Sequence, residues 1–335
     1  MTRTTGWIGI VAVGLLAGCG WRGGSSRVET GFHQKADLQG VSLVVVETQN
    51  GRIDVRCNGS GGEADIAGDK YVRASSREVA RQRLDQIQIE AQREADKPEV
   101  LRIKASIPKF PDGSAGANFQ ISLPANLALR LRTSNGSVAA AGARGDVDVR
   151  TSNGPVEVEA IEGNLEARTS NAQVIARRIA GDVRAVSSNG DIDIEACGRQ
   201  CVVAKTSNAR IRAIDPRGEV TLVSSNGPVE LRAPSLASEP QIRIETSNAH
   251  VQVEVPRHVR AALDLNTTNA RIRADLSGAQ VADREDGDDA LSAILNGGGG
   301  RIDAETSNGP VHFKLIEAQP LTAEAPATFP AGSDQ

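Results

Sequence analysis

The chain has 335 residues, 39% hydrophobic and 24% charged, with a formal net charge of −4. Basic and acidic residues are interspersed, so there is no basic stripe of the kind that binds nucleic acid. Aromatics make up only 2% of the chain, too few for the stacked platforms on which polysaccharide-gripping surfaces are built.

Arg3 precedes an apolar run from Trp7 to Ala17. The run is short for a bilayer span and reads as a signal peptide over residues 1–18. It ends on Leu16-Ala-Gly-Cys19, which resembles the lipobox of bacterial lipoproteins. The resemblance implies that Cys19 becomes the first mature residue, carrying a diacylglyceryl group and an N-acyl chain such as palmitate. Each buried acyl CH₂ contributes about 0.8 kcal/mol, so these chains together hold far more firmly than one myristoyl. Gly20, rather than Asp, follows the cysteine. By the sorting rule that goes with the resemblance, this favours the outer membrane of a double-membraned bacterial cell envelope. Residues 19–36 then read as a flexible tether, rich in Gly and Ser from Trp21 to Arg27.

One all-β domain, a parallel β-solenoid, is predicted over 37–317, with an irregular cap region at 37–117. Leu43-Val-Val-Val46 and Asn50-Gly-Arg-Ile-Asp-Val55 alternate as strand, turn and strand. Ser75 to Leu84 predicts a short helix: Ser75-x-x-Glu78 has capping-box spacing, and Val79, Ala80, Arg83 and Leu84 share a face. Strands are expected at Ile87–Ala91, Val100–Ser106 and Phe119–Leu123. The open end of a stack templates aggregation unless it is covered, and the helix with its strands supplies that cap.

Regular coils are predicted over 118–317. A Thr/Ser-Ser/Thr-Asn tripeptide recurs, its asparagines being Asn135, Asn153, Asn171, Asn189, Asn208, Asn226, Asn248, Asn269 and Asn308. The steps between them are 18, 18, 18, 19, 18, 22, 21 and 39 residues, a period characteristic of solenoids. Within one step Val156, Val158 and Ala160, then Leu165, Ala167 and Thr169, alternate with polar residues, giving two half-buried strands per coil. Val138, Val156, Val174, Ile192 and Ile211 all sit three places after their asparagine. Stacked parallel coils need that constancy and an antiparallel meander does not. Pro155, Pro228 and Pro310 directly after Asn-Gly also disfavour tight hairpins. Coils rising by about 4.8 Å each would give a rod on the order of 45 Å. Stacked asparagines are expected to hydrogen-bond along the axis as a structural column, with left-handed backbone at their corners eased by the glycines that follow.

Insertions fall at corners. The 19-residue coil enlarges at Cys197-Gly-Arg-Gln-Cys201, where an exported protein would close a small disulfide, and the 22-residue coil enlarges the same corner at Pro234–Pro240. The insertion at 277–300 holds the acidic run Asp283–Asp289, whose spacing fits neither the EF-hand nor the glycine-rich calcium repeat and reads as a solvated loop. The tail, 318–335, is rich in Ala and Pro and reads as disordered. Arg132, Arg150, Arg168 and Lys205 form a basic column, with Asp148 and Glu166 close enough to pair with it. Carboxylates are scattered over corners and the four histidines form no close pair. No catalytic, cofactor or metal set is therefore expected.

The Leu43-to-Val55 strand pair, the Ser75-Ser-Arg-Glu-Val-Ala-Arg-Gln-Arg-Leu84 helix, Phe119-Gln-Ile-Ser-Leu-Pro124 and the Thr-Ser-Asn-Gly coils resemble a bacterial putative-adhesin family of β-strand repeats, over roughly residues 37–316. The resemblance implies a non-enzymatic, lipid-anchored envelope protein that acts in adhesion or as a scaffold. Its partners are then the membrane and an envelope protein or surface ligand, without nucleic acid. The alternatives are a self-assembling bactofilin-like protein, an envelope-stress accessory protein and a polysaccharide-active β-helix enzyme.

Overall fold

The computed structural model describes residues 26–59, 61–198 and 200–319. It is an all-β, mostly parallel, β-solenoid-like fold of 27 strands with one short helix. The chain, expected as one domain over 37–317, divides into two compact units, Met1–Asp193 and Ile194–Gln335. Strand β15 (Ile192–Glu195) runs through that division.

The first unit has two sheets. One has the order β1 (Ser26–Asp37), β4 (Glu63–Ala74), β7 (Ser114–Pro124), β3 (Ile53–Gly59), β9 (Val138–Ala141), β11 (Val156–Ile161) and β13 (Val174–Ile179). The other has the order β5 (Gln88–Arg93), β6 (Val100–Ser106), β2 (Leu43–Glu47), β8 (Ala128–Arg132), β10 (Val147–Arg150), β12 (Leu165–Arg168) and β14 (Val183–Val186). Val147 pairs with Leu165 and Leu165 with Val183, in parallel, as do Val156 and Val174. An antiparallel meander cannot produce these ladders. Because side chains alternate along a strand, Val147, Val149, Val156, Val158, Leu165, Ala167, Val174 and Ala176 all turn inward and are buried. A single repeat leaves that face open, and the next repeat closes it. Each buried Val, Leu or Ile side chain contributes about 1.5–3 kcal/mol.

Chain order and spatial order part at the start of this unit. Strands β2 and β3 come early in sequence yet lie inside the stack. Leu43 pairs with Val100 on one side and Ala128 on the other, and Ile53 with Phe119 and Val138. The covering strands are antiparallel: β5 on β6, and β1 on β4 on β7. This corrects the tether reading of 19–36 for residues 26–36, because β1 pairs along its whole length from Ser26↔Ala74 to Asp37↔Glu63; the earlier part of that segment lies outside the described residues. Its signal in the sequence is faint, since Val28 is its one buried residue. Phe32 also packs edge-on to Phe119, 5.6 Å between ring centroids.

Helix α1 (Arg77–Leu84) lies where it was expected, but its N-cap is Ser76, not Ser75. Ser76 Oγ accepts the Val79 N–H at 3.2 Å, which moves the expected capping box out of register by one residue. Ala80 and Leu84 pack with Val28, Val72, Ile87 and Ala115 in a small core beneath the cap.

In the second unit one sheet has the order β16 (Cys201–Lys205), β18 (Glu219–Val223), β20 (Gln241–Glu245), β26 (Gly300–Thr306), β22 (Ala261–Thr267), β25 (Ala290–Leu295) and β24 (Val281–Asp286). Its companion is β17 (Ile211–Ile214), β19 (Val229–Arg232), β21 (Val251–Pro256), β27 (Val311–Ile316) and β23 (Ile272–Asp275). Here the last strands in sequence are drawn inside. Ile302 pairs with both Ile242 and Leu263, and Val311 with both Val251 and Ile272. The 277–300 insertion is not merely a solvated loop. β24 and β25 form an antiparallel hairpin, with the Gly287 N–H donating to the Ala290 carbonyl oxygen at 2.8 Å. Strand β25 then covers the edge of β22. The acidic run is exposed, and a bulge lies between Ala282 and Glu285.

Cys57, on β3, is 5% exposed, and burial pushes its thiol up to about 12. In the unfolded chain the same thiol ionises near about 8.5. Between those values the unfolded state has lost a proton that the folded state keeps, so stability falls as pH rises. Urea melts should show the wild type losing about 2 kcal/mol more than Cys57→Ala between about pH 8.5 and 10.5. Equal slopes for the two proteins would refute the assignment.

Candidate functional site

The repeating corner is built around a hydroxyl. Thr151 is buried. Its Oγ1 donates to the Gly136 carbonyl oxygen of the preceding repeat at 3.2 Å and accepts the Gly154 N–H at 3.2 Å. One side chain therefore closes its own corner and ties it to the one before. Thr133 donates in the same way to Gly51 at 3.2 Å, Thr169 to Gly154 at 3.3 Å and Ser187 to Ala172 at 3.2 Å. In the second unit the pairs are Ser224 to Ala209, Thr246 to Gly227, Thr306 to Ala249 and Thr267 to Gly309, at 2.9–3.2 Å. A Cβ on Gly154 would stand 1.7 Å from the Gly136 carbonyl oxygen. Close approach, not φ, requires the glycine there.

Outside this hydroxyl runs the asparagine column. In the first unit Asn153, Asn171 and Asn189 each donate from Nδ2 to the preceding Oδ1, at 2.7, 2.8 and 2.8 Å. Asn135 donates to Asn50 at 2.5 Å, and Asn50 to the Ala115 carbonyl oxygen at 3.0 Å. Asn50 was not among the expected members. Thr48-Gln-Asn50-Gly51 carries the hydroxyl and the Asn-Gly but lacks the central serine, and that partial match was its signal. In the second unit Asn226 donates to Asn208, Asn248 to Asn226 and Asn308 to Asn248, each at 2.7 Å, and Asn269 donates to Asn308 at 2.8 Å. Asn308 thus has two neighbours, because β26 and β27 enter the stack ahead of β22 and β23. Within each unit the donors point the same way along the column, an arrangement in which each amide polarises the next.

None of the column asparagines has a positive φ. The left-handed backbone expected there belongs to the opposite corner: Gly142, Ala160 and Arg178 have φ of 79°, 54° and 51°, and Ala196 and Asp215 both have 51°. Near that corner Asp146 Oδ1 accepts the Asn164 N–H at 2.8 Å, and Asn164 Oδ1 accepts that of Asp182 at 2.9 Å. The carboxylate of Asp146 satisfies a backbone donor there.

The outward faces are charged and paired. Asp148 meets Arg150 at 3.1 Å and Arg130 at 3.5 Å, and Glu166 meets Arg150 at 3.7 Å and also pairs with Arg168. Arg150 and Arg168 of the expected basic column are therefore neutralised by neighbours. Hydrogen bonds to Glu47 and then to Glu94 push the Arg102 guanidinium above its ordinary value. Exposed pairs of this kind contribute roughly 0–1 kcal/mol each. A groove of 630 Å³ in the second unit is lined by the Arg212–Glu230 and Arg232–Glu254 pairs, with Pro234 and Gln319 on its rim. Among the described residues, no group of three or more His, Cys, Asp or Glu is placed to hold a metal ion, and no helix is long and apolar enough to cross a membrane.

Cys197 and Cys201 stand as thiols in this structure. Cys197 is fully buried and its Sγ donates to the Glu195 carbonyl oxygen at 2.9 Å, while Cys201 opens β16. Cys19 and the signal peptide lie outside the described residues.

No protein-family model and no curated protein matches the chain. Among solved structures it is similar to "a putative cell adhesion protein" from Clostridium sporogenes, at 10% identity and a TM-score of 0.21, covering 86% of this chain and 100% of that one. It is also similar to "a putative adhesin" from Bacteroides fragilis, at 10% identity and a TM-score of 0.28, covering 85% of this chain and 97% of that one. At these values the matches carry no functional argument.

The corner ranks its two polar columns by burial. Thr151→Val keeps the shape but strands a buried carbonyl and the Gly154 N–H, and should cost about 1–3 kcal/mol. Asn171 is exposed, so water can replace it, and Asn171→Ala should cost about 0.5–1.5 kcal/mol. Asn308→Ala should match it, having as many neighbours. Glu157→Gln, on the outer face, should stay within about 0.5 kcal/mol. Denaturant melts of the four variants test the ranking, and an asparagine variant costing more than Thr151→Val would reverse it.

Proposed function

We propose that the protein is a non-enzymatic scaffold of the bacterial cell envelope. It stacks as a β-solenoid of coils of about 18 residues behind an N-terminal cap, and presents its outer faces for adhesion. The observation that supports this reading is how the repeated polar residues are spent. The threonines and asparagines at the corners bond to neighbouring repeats, and much of the outward charge bonds to other charge, so the repeat serves rigidity rather than chemistry. Two of the few aromatic residues follow the same logic: Phe119 and Phe313 are buried in the core rather than offered as sugar platforms.

In this reading Cys19 carries the lipid, the outer membrane is the address, and an envelope protein or surface ligand is the partner. Fractionation of cells making the full chain should recover it with membranes, its mature N-terminus at Cys19. Cys19→Ser should release it or leave the precursor unprocessed, and should lower attachment of the cells to surfaces. A mature N-terminus elsewhere would overturn the anchor. Attachment unchanged when the gene is deleted, or cleavage of a glycan by the pure protein, would overturn the scaffold role.

Export also bears on the enlarged corner. In an oxidising compartment Cys197 and Cys201 are proposed to close a disulfide. Across so short a loop it adds little chain-entropy stabilisation. Non-reducing peptide maps of the exported protein should show the bridge, and free alkylation of both thiols would reject it.

A further inference from the structure

We infer that the Asn-Gly corners are latent sites of self-modification, and that the corner hydrogen bonds hold the reaction in check. Asn50, Asn135, Asn153, Asn189, Asn226 and Asn308 are each followed by glycine. A residue without Cβ leaves its backbone nitrogen open to approach. In a flexible chain that nitrogen attacks the asparagine Cγ. The N–Cγ bond forms, the Cγ–Nδ2 bond breaks, and ammonia departs with the proton from the glycine amide. Water then opens the succinimide ring at either carbonyl to give aspartate or isoaspartate. Water is the sole co-reactant, and nothing is oxidised or reduced.

In the folded corner both reacting groups are held by third parties. The Gly154 N–H is bound to Thr151 Oγ1 at 3.2 Å, while the Asn153 amide is clamped between Asn135 at 2.7 Å and Asn171 at 2.8 Å. In the second unit the Gly227 N–H is bound to Ser224 at 3.0 Å, with Asn226 between Asn208 and Asn248. Gly309 is bound to Thr306 at 3.3 Å, with Asn308 between Asn248 and Asn269. Reaction therefore waits on local opening of a corner. The product cannot restore the clamp. Aspartate has no Nδ2 to donate to the preceding Oδ1 and sets a charged acceptor against it. Isoaspartate also lengthens the corner by one methylene. One event thus loosens the repeats on either side, and modification spreads along the column from the first corner to open.

The test is incubation of the full chain in mildly alkaline buffer, with peptide mapping that separates aspartate from isoaspartate at each asparagine. In denaturant the Asn-Gly steps should convert at similar rates. In the native protein Asn153 should convert far more slowly. Thr151→Val should speed native conversion at Asn153 by at least about fivefold, the factor that corresponds to about 1 kcal/mol, and leave Asn308 unchanged. If that variant does not fold, Asn171→Ala removes one clamp while keeping the Gly154 bond, and should also speed Asn153, together with Asn189, which donates to Asn171, while leaving Asn308 unchanged. Equal rates at Asn153 in native and denatured protein would overturn the inference. So would a folded variant in which Asn153 is no faster than in the wild type.

Discussion

A stack of parallel repeats must satisfy the buried inner side of each corner without water, because the next repeat covers it. The buried Thr or Ser two residues before each asparagine answers that demand. A hydroxyl both donates and accepts, so it can hold the N–H of its own turn and the carbonyl of the turn beneath. Valine has the shape without the bonds, and asparagine at that position would not fit a buried slot beside a carbonyl. The aliphatic core, the asparagine column and the spacing of the outer charges all follow from corners that superimpose. If they slipped by one residue, every inward valine would turn outward.

The repeats divide their side chains among three environments. Inward positions are aliphatic, corner positions are polar and bonded from repeat to repeat, and many outward positions are charged and paired with neighbours. Only the last set is free to vary without disturbing the stack. Surface recognition in such a chain has to be written in those outward residues and in the insertions at the corners.

The strands and their period were legible because alternation and the Thr-Ser-Asn tripeptide repeat so closely. Strands β6, β10 and β12 fall where the pattern puts them. Partnership was less legible, for a physical reason. Near-identical repeats offer near-identical faces, so Val251 fits against Val311 as well as against Ile272. Local pattern does not say which will be adjacent, and the connecting segments decide. That is how Asn308 came to have two neighbours. Strand β1 carries a weak signal because Val28 is its one buried residue, and β4 because the partly buried residues 67–71 interrupt its alternation between Ile66 and Val72. The helix cap missed by one residue because Ser75 and Ser76 are chemically alike, and only the backbone turn selects between them. Of the candidate site, the asparagines were visible in the sequence, and alternation put Thr169 on the inward face, but the bonds that its hydroxyl makes between repeats carry no sequence signal.

The interleaving at β26 and β27 changes how the second unit would respond to force. In a plain solenoid the last repeat has a neighbour on one side only, and tension on the chain end peels it away one bond at a time. Here tension applied beyond Ile316 reaches a strand pair laddered on both sides, to β20 and β21 and to β22 and β23. Withdrawing it means shearing both sets of ladders together and opening a gap through the core. Strands β26 and β27 are thereby stitched in rather than laid on top, and the mechanically weakest strands are no longer the last two in sequence.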